Sequence, residues 1–179
     1  AWTGEDDKGR MQGMDGLVRE LAKITDLRRI RYTTSHPNDM SDGLIAAHGD
    51  VDKLMPFLHL PVQAGNDRIL KAMRRSYRQS KFMGIIDKVR EAMPHAAVTT
   101  DIIVGFPGET EEQFQRTLDL LTDLRLDKVH CAPYSTRPGT TAHRNMEDNV
   151  PQKEKADRRE RVDRLQERIL TEINADLVG

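Results

Sequence analysis

Thr100–Phe114 reads TDIIVGFPGETEEQF, a strand that runs into a tight turn and then directly into a capped helix. Thr99 to Val104 is mostly β-branched and is followed by glycine and proline, the pattern of a strand buried on both faces. Gly105 and Gly108 flank Phe106-Pro107, so the backbone there turns sharply and admits a ligand without a Cβ in the way. Thr110 with Gln113 three residues on is a capping box. Glu109, Glu111 and Glu112 place negative charge at the positive end of the helix dipole. Strand, glycine turn and helix N-terminus in this order build small-molecule sites at the carboxyl ends of parallel strands, although the same order also occurs as a plain βα turn.

The rest of the chain alternates in the same way. Leu17, Val18, Leu21 and Ile24 recur at helical spacing after a polar, glycine-rich opening read as loop, AWTGEDDKGRMQGM. Arg29 to Thr34 alternates as a strand and stops at Ser35-His36-Pro37. Ser41 caps a short helix through Leu44 and Ile45, and Phe57 to Gln63 is the next strand, with Pro61 near its end. Asn66 opens a helix through Ile69, Leu70 and Met73 that ends in the basic residues Arg74, Arg75 and Arg78. A longer helix carries Phe82, Ile85, Ile86, Val89 and Met93 up to Pro94. Val129 to Tyr134 is the fourth strand. Strands separated by helices imply right-handed βαβ units in a parallel sheet. With about four strands and no GxGxxG fingerprint, the fold class expected is α/β, a partial parallel (β/α) barrel with a long C-terminal helix. Residues 1–150 form the barrel portion and 151–179 a terminal amphipathic helix with Val162, Leu165, Ile169 and Ile173 on one side. Glu154–Arg158, Asp157–Arg161 and Glu160–Arg164 are opposite charges four apart. Arg161, Arg164 and Arg168 form a stripe that reads either as a phosphate contact or as a solvated, salt-bridged face.

Composition narrows the function classes. Twenty-eight basic against 29 acidic side chains give a net charge of −1, so no global field draws the chain to nucleic acid, and any such contact must be local. Cys131 is the single cysteine, which excludes an intramolecular disulfide and any site built from several thiolates of this chain. In a strand interior it reads as a core thiol, not a nucleophile. No apolar run approaches the roughly 18 residues of a membrane span and no signal-like start is visible, so a cytoplasmic location is expected.

In a parallel barrel the chemistry sits where the strands end. The first strand ends at Ser35 and His36, the second at Gln63, the third at Gly105 to Glu109, and the fourth at Tyr134, Ser135 and Arg137. Asp101, inside the third strand, needs a polar cavity or a partner such as a nearby arginine. Each residue alone has an ordinary explanation; their placement on one rim is the stronger signal. HExxH and GxSxG are absent. Hydroxyls, an amide, an acid and glycine backbone suit a nucleoside-bearing cofactor that carries the hard chemistry itself.

With these residues in view, the sequence resembles the radical S-adenosylmethionine methylthiotransferases, most closely the branch that modifies isopentenyladenosine beside the tRNA anticodon. The stretches that carry the likeness are RIRYTTSHP (Arg29–Pro37), LHLPVQAGNDRILKAMRR (Leu58–Arg75), TTDIIVGFPGETEEQF (Thr99–Phe114) and PYSTRPGT (Pro133–Thr140). The resemblance implies a partial (β/α) barrel, S-adenosylmethionine and two 4Fe-4S clusters in the full-length parent, and a tRNA anticodon stem-loop and an electron donor as partners. It further implies a deoxyadenosyl radical that abstracts hydrogen from adenine C2, followed by methylthio insertion. By motif position Gln63, Asp101, Ile103, Gly105 and Tyr134 line the cofactor, with Arg75 at its carboxylate, while Ser35, His36 and Arg137 face substrate. Within the family the alternative acceptors are a ribosomal protein or threonylcarbamoyladenosine in tRNA. Outside it, the alternative is a cluster-free module that binds nucleotide or RNA.

The chain departs from the family in lacking CxxxCxxC, the amino-terminal cluster-binding domain and the small RNA-binding (TRAM) β-barrel. It is therefore expected to be an internal piece of a longer enzyme. One thiolate cannot replace three, so the isolated chain is expected to hold no cluster and to be inactive. Iron analysis after anaerobic reconstitution tests this expectation, and about four irons per chain would overturn it.

Overall fold

A computed structural model describes residues 2–6, 8–33 and 36–177. Its centre is a parallel sheet of Phe57–His59 (β3), Ala97–Val104 (β4) and Lys128–Pro133 (β5), in that order. A short antiparallel pair, Gly4–Glu5 (β1) with Met11–Gln12 (β2), precedes it, so the opening stretch read as loop is a hairpin. Arg29 to Thr33 does not form the expected first strand. It joins the sheet region through a single parallel bridge, Ile30 to Leu54, while Thr34 lies outside the described residues.

Helices Met14–Ala22 (α1), Asp42–Asp50 (α2), Asp67–Ala72 (α3), Gln79–Ala92 (α4), Glu111–Leu124 (α5), Thr141–Asn145 (α6) and Gln152–Leu177 (α7), with a 3₁₀ turn at Pro37–Asp39, complete the described elements. Their starts follow from local chemistry. Ser41 accepts from the Leu44 N–H, Asn66 from Arg68 and Ile69, and Thr110 with Gln113 forms the full capping box. Helix α1 stops at Ala22, which leaves Ile24 exposed instead of on its apolar face.

The two faces of β4 differ, as alternation along a strand requires. Val98, Thr100, Ile102 and Val104 are buried in the main core with Phe82, Ile86, Phe114, Leu121, Val162 and Ile169 from α4, α5 and α7. A phenylalanine or leucine in such a place contributes about 1.5–3 kcal/mol. Cys131 packs against this core, and burial pushes its thiol up to about 12, so it stays protonated at neutral pH. A smaller cluster of Val18, Ile30, Ala47, Val51 and Leu54 fixes α1 and α2 beside the Ile30 bridge.

Helix α7 packs on β5, β4 and α5. All three ion pairs expected along it form: Glu154–Arg158, Asp157–Arg161 and Glu160–Arg164. Arg161 also reaches Glu111 at 2.7 Å, so this part of the arginine stripe is salt-bridged. Arg158 breaks the expected pattern. It is 1% exposed, and Lys155 one turn earlier is fully buried.

Candidate functional site

The chain reaches the carboxyl edge of the sheet through Leu60-Pro61-Val62-Gln63. Pro61 has no N–H to give to a ladder, and β3 is interrupted there. The Thr100 hydroxyl fills the gap, donating to the Leu60 carbonyl at 2.7 Å and accepting from the Val62 N–H at 2.9 Å. Pairing resumes at Gln63, whose N–H donates to the Asp101 carbonyl at 2.8 Å and whose carbonyl accepts from the Ile103 N–H at 2.9 Å. Tyr77 donates its hydroxyl to the Val62 carbonyl at 3.0 Å and holds this segment from behind.

Gln63 pays a backbone penalty, with φ +72° in the left-handed region that L residues avoid. Arg74 does the same at φ +60°. It sits where a helix commonly ends in glycine, because the Arg75 N–H returns to the Leu70 carbonyl and the Arg74 N–H to Lys71. Of the three non-glycine residues with left-handed backbone among those described, these two line the same cavity.

That cavity, about 540 Å³, opens at the carboxyl ends of β4 and β5. Ile103, Phe106 and Tyr134 form an apolar wall in which the two rings meet edge to face at 5.0 Å. Gln63 contributes an amide that makes no hydrogen bond to another described residue. Arg74, Arg75 and Arg137 supply positive charge around the rim, with Thr140 and Thr141 beside them. Five of the residues expected at the site from sequence, namely Gln63, Arg75, Ile103, Tyr134 and Arg137, are thus brought together.

The other expected residues lie around this wall. Asp101 is two positions back from Ile103 on the same strand face, and its partner is not an arginine but His59, whose Nε2 lies 3.3 Å from the carboxylate. His59 Nδ1 pairs in turn with the Thr99 hydroxyl at 2.8 Å. His36 caps the short 3₁₀ turn Pro37–Asp39, accepting from the Asn38 N–H, and its ring packs edge-on against Tyr77 at 5.0 Å. It stands one side chain behind the Gln63 segment, not on the cavity wall. Ser35 lies outside the described residues.

Gly105 closes β4 with φ +71°, but the space a Cβ would need belongs to α7 and not to a ligand. A Cβ there would overlap Cγ of Lys155 and sit 3.1 Å from its Cδ. The Gly105 N–H donates to Glu109 Oε2 at 2.6 Å, and Arg158 Nη1 donates to the same oxygen at 2.8 Å. Burial pushes the Glu109 carboxyl above its ordinary value, against the pull of that N–H and of the guanidinium. The sequence places Glu109 with the helix-dipole acids and Arg158 in a charge pair with Glu154, and gives Lys155 no role, so the buried part all three play is not read from it. A signal was present: 155, 158, 162, 165 and 169 fall on one stripe of alternating three- and four-residue steps.

The cavity has the volume of a site for a nucleoside-sized ligand, and its amide, aromatic wall and basic rim suit the adenosyl and amino-acid ends of S-adenosylmethionine. A cluster is not matched by these side chains. Among the described residues no group of three or more His, Cys, Asp or Glu is placed to hold a metal, and Cys131 belongs to the core.

The model of the radical SAM superfamily matches residues 3–121, and the chain belongs to that superfamily. A solved structure of coproporphyrinogen III oxidase (HemN) from Escherichia coli, described as a radical SAM enzyme, shares the fold over 69% of this chain and 26% of its own, with a TM-score of 0.50 and 24% identity. Among curated relatives, tRNA-2-methylthio-N(6)-dimethylallyladenosine synthase of Sphingopyxis alaskensis is 58% identical over 166 residues, 93% of this chain and 36% of the relative. The protein of the same name from Zymomonas mobilis is 50% identical over all 179 residues, which span 40% of its length. The chain therefore covers between a third and two fifths of these relatives. No helix among the described residues is long and apolar enough to cross a membrane.

Proposed function

We propose that this chain is the cofactor-holding part of a cytoplasmic tRNA methylthiotransferase, whose full-length form acts at C2 of N6-isopentenyladenosine in the anticodon stem-loop and takes electrons from a separate donor. The observation that carries this reading is the cavity in which Gln63, Ile103, Phe106 and Tyr134 meet Arg75 and Arg137 at the strand ends. Identity of 50–59% to enzymes named for that modification supports the choice of substrate. The two 4Fe-4S clusters belong to other parts of the parent enzyme, and residues 151–179 lead toward its RNA-binding domain.

In this reading Ile103, Phe106 and Tyr134 flank the adenine, and the Gln63 amide, unpaired on the cavity wall, reads its polar edge. Arg75 pairs with the carboxylate of the amino-acid end. Asp101, oriented by His59, offers a half-exposed carboxylate as an acceptor deeper on the same sheet face. The Gly105 turn, packed against Lys155, carries Phe106 into the cavity wall. Arg137, on the cavity rim, faces substrate; His36, behind the Gln63 segment, packs against Tyr77 instead. When bound and reduced in the full enzyme, S-adenosylmethionine supplies the hydrogen-abstracting adenosyl radical; the side chains of this chain hold and orient it and exclude water from one side.

Titration of this chain with S-adenosylhomocysteine by calorimetry tests the reading without a cluster. Binding is expected, and Gln63→Ala and Tyr134→Ala are each expected to weaken it by about tenfold or more, the scale of one lost stacking or buried polar contact. Absence of binding by the unaltered chain, or affinity unchanged in both variants, would remove the cofactor assignment.

A further inference from the structure

The residues packed around the Gly105 turn come almost entirely from one place, the start of α7 and the segment before it that carries Asp148 and Asn149. Asn149 Oδ1 accepts from the Gly108 N–H at 2.8 Å. Lys155 lays its methylenes against Gly105, donates to the Tyr134 carbonyl at 3.3 Å, pairs with Asp148 at 2.6 Å and sits 5.2 Å from the Tyr134 ring centre. Arg158 donates to both the carbonyl and the carboxylate of Glu109, at 3.1 and 2.8 Å, and that carboxylate holds the Gly105 N–H. Two cations are buried here at 0% and 1% exposure, and Arg158 Nε is buried without a hydrogen-bond partner among the described residues, so the arrangement is costly. Stability alone does not call for them, because apolar residues of the same size would serve the core as well or better. What the cations do that apolar groups cannot is donate: Lys155 to the Tyr134 carbonyl, and Arg158 to the carbonyl and the carboxylate of Glu109, the carboxylate that in turn holds the Gly105 N–H beside the cavity wall.

We propose that the start of α7 is a positioning device for the cavity: Lys155 and the Glu109–Arg158 pair set the backbone of Gly105 and Tyr134, so that docking of this helix and occupancy of the adenosyl site are coupled. The inference rests on the cofactor assignment made above. Coupling of this kind is reciprocal, so a bound adenosyl ligand tightens α7 as much as a docked α7 tightens the site. Lys155, Glu109 and Arg158 are positioning residues; none of them lines the cavity.

The test separates positioning from mere stability. Lys155→Met keeps the buried methylene volume and leaves Asp148, 26% exposed, to water, so the fold is preserved. Glu109→Gln keeps an acceptor for the Gly105 N–H but removes the charge that Arg158 meets. Val162→Ala, lower on the same helix and fully buried, is the control that weakens packing without touching the turn. Affinity for S-adenosylhomocysteine is measured by calorimetry, with thermal stability recorded for each protein. Lys155→Met and Glu109→Gln are expected to lose about tenfold in affinity, Val162→Ala less than about twofold once corrected for folded fraction. Amide exchange of residues 155–162 is expected to slow on ligand binding in the unaltered chain and not in Lys155→Met. If both variants lose no more affinity than Val162→Ala, the coupling is overturned while the cofactor assignment stands. If the unaltered chain binds nothing, both fall together.

Discussion

Arg158→Met is expected to lower folding stability by about 3–5 kcal/mol, the cost of leaving one member of a buried ion pair without the other. Glu109 is 5% exposed and would lose its buried counter-charge among the described residues, while the Glu154 and Glu111 carboxylates that also approach Arg158 are largely solvated and relax into water. Relief is available by protonation, because burial already pushes Glu109 above its ordinary value of 4.5. In the variant the folded value rises further, and the unfolded value stays ordinary. Between the two the folded state binds the extra proton, so stability falls as pH rises through that window and levels off above the folded value. Urea denaturation should therefore show a smaller deficit at pH 5 than at pH 8. Adding Glu109→Gln to Arg158→Met should recover most of the loss at pH 8, since the amide oxygen still accepts from Gly105 and no charge remains to bury. A deficit below about 1 kcal/mol at both pH values is what an exposed pair would give and would contradict the burial of Arg158.

How far the sequence carried the fold depended on whether the deciding interactions were local. Caps at Ser41, Asn66 and Thr110 form as read, since each needs only a side chain and an N–H two or three residues away. Phe82, Ile85, Ile86 and Val89 are buried together because a helical repeat fixes their common face whatever lies opposite. Arg29 to Thr33 alternates as well as β4 does, yet it meets its neighbour at one bridge, because strand pairing depends on a partner that alternation cannot name. Helix α6, only five residues long and with no buried side chain, left no apolar repeat to find. At the site, the strand-end rule gathers Gln63, Tyr134, Ser135 and Arg137 because it follows from sheet geometry alone, whereas Ile103 is placed there only by the family motif. The His59 partner of Asp101 lay hidden across two strands, although both residues fall on one sheet face once the register is known. Lys155 and Arg158 are masked by their charge: a lysine and an arginine paired with Glu154 carry no apolar signal, although the apolar stripe of α7 runs back through both positions.

Gly105→Ala is expected to be nearly as damaging, and to show why α7 matters to this turn. Its φ of +71° costs an alanine about 1–2 kcal/mol, and the added methyl overlaps the buried Lys155 stem, an overpacking cost of about 1–3 kcal/mol. These two contributions have different owners, so they separate in a double-mutant cycle. Lys155→Ala removes Cγ, Cδ and Cε, the three atoms that crowd the new methyl, and leaves the backbone strain untouched. The double variant Gly105→Ala/Lys155→Ala should then be more stable than the sum of the single losses predicts, by about 1–3 kcal/mol in urea denaturation. Additivity within about 0.5 kcal/mol would mean that the two residues do not meet, and that glycine is required at 105 for its backbone angle alone. A positive coupling makes the glycine a receptor for the helix: the missing side chain is a slot cut for Lys155, and its ammonium reaches the Tyr134 carbonyl because that slot exists.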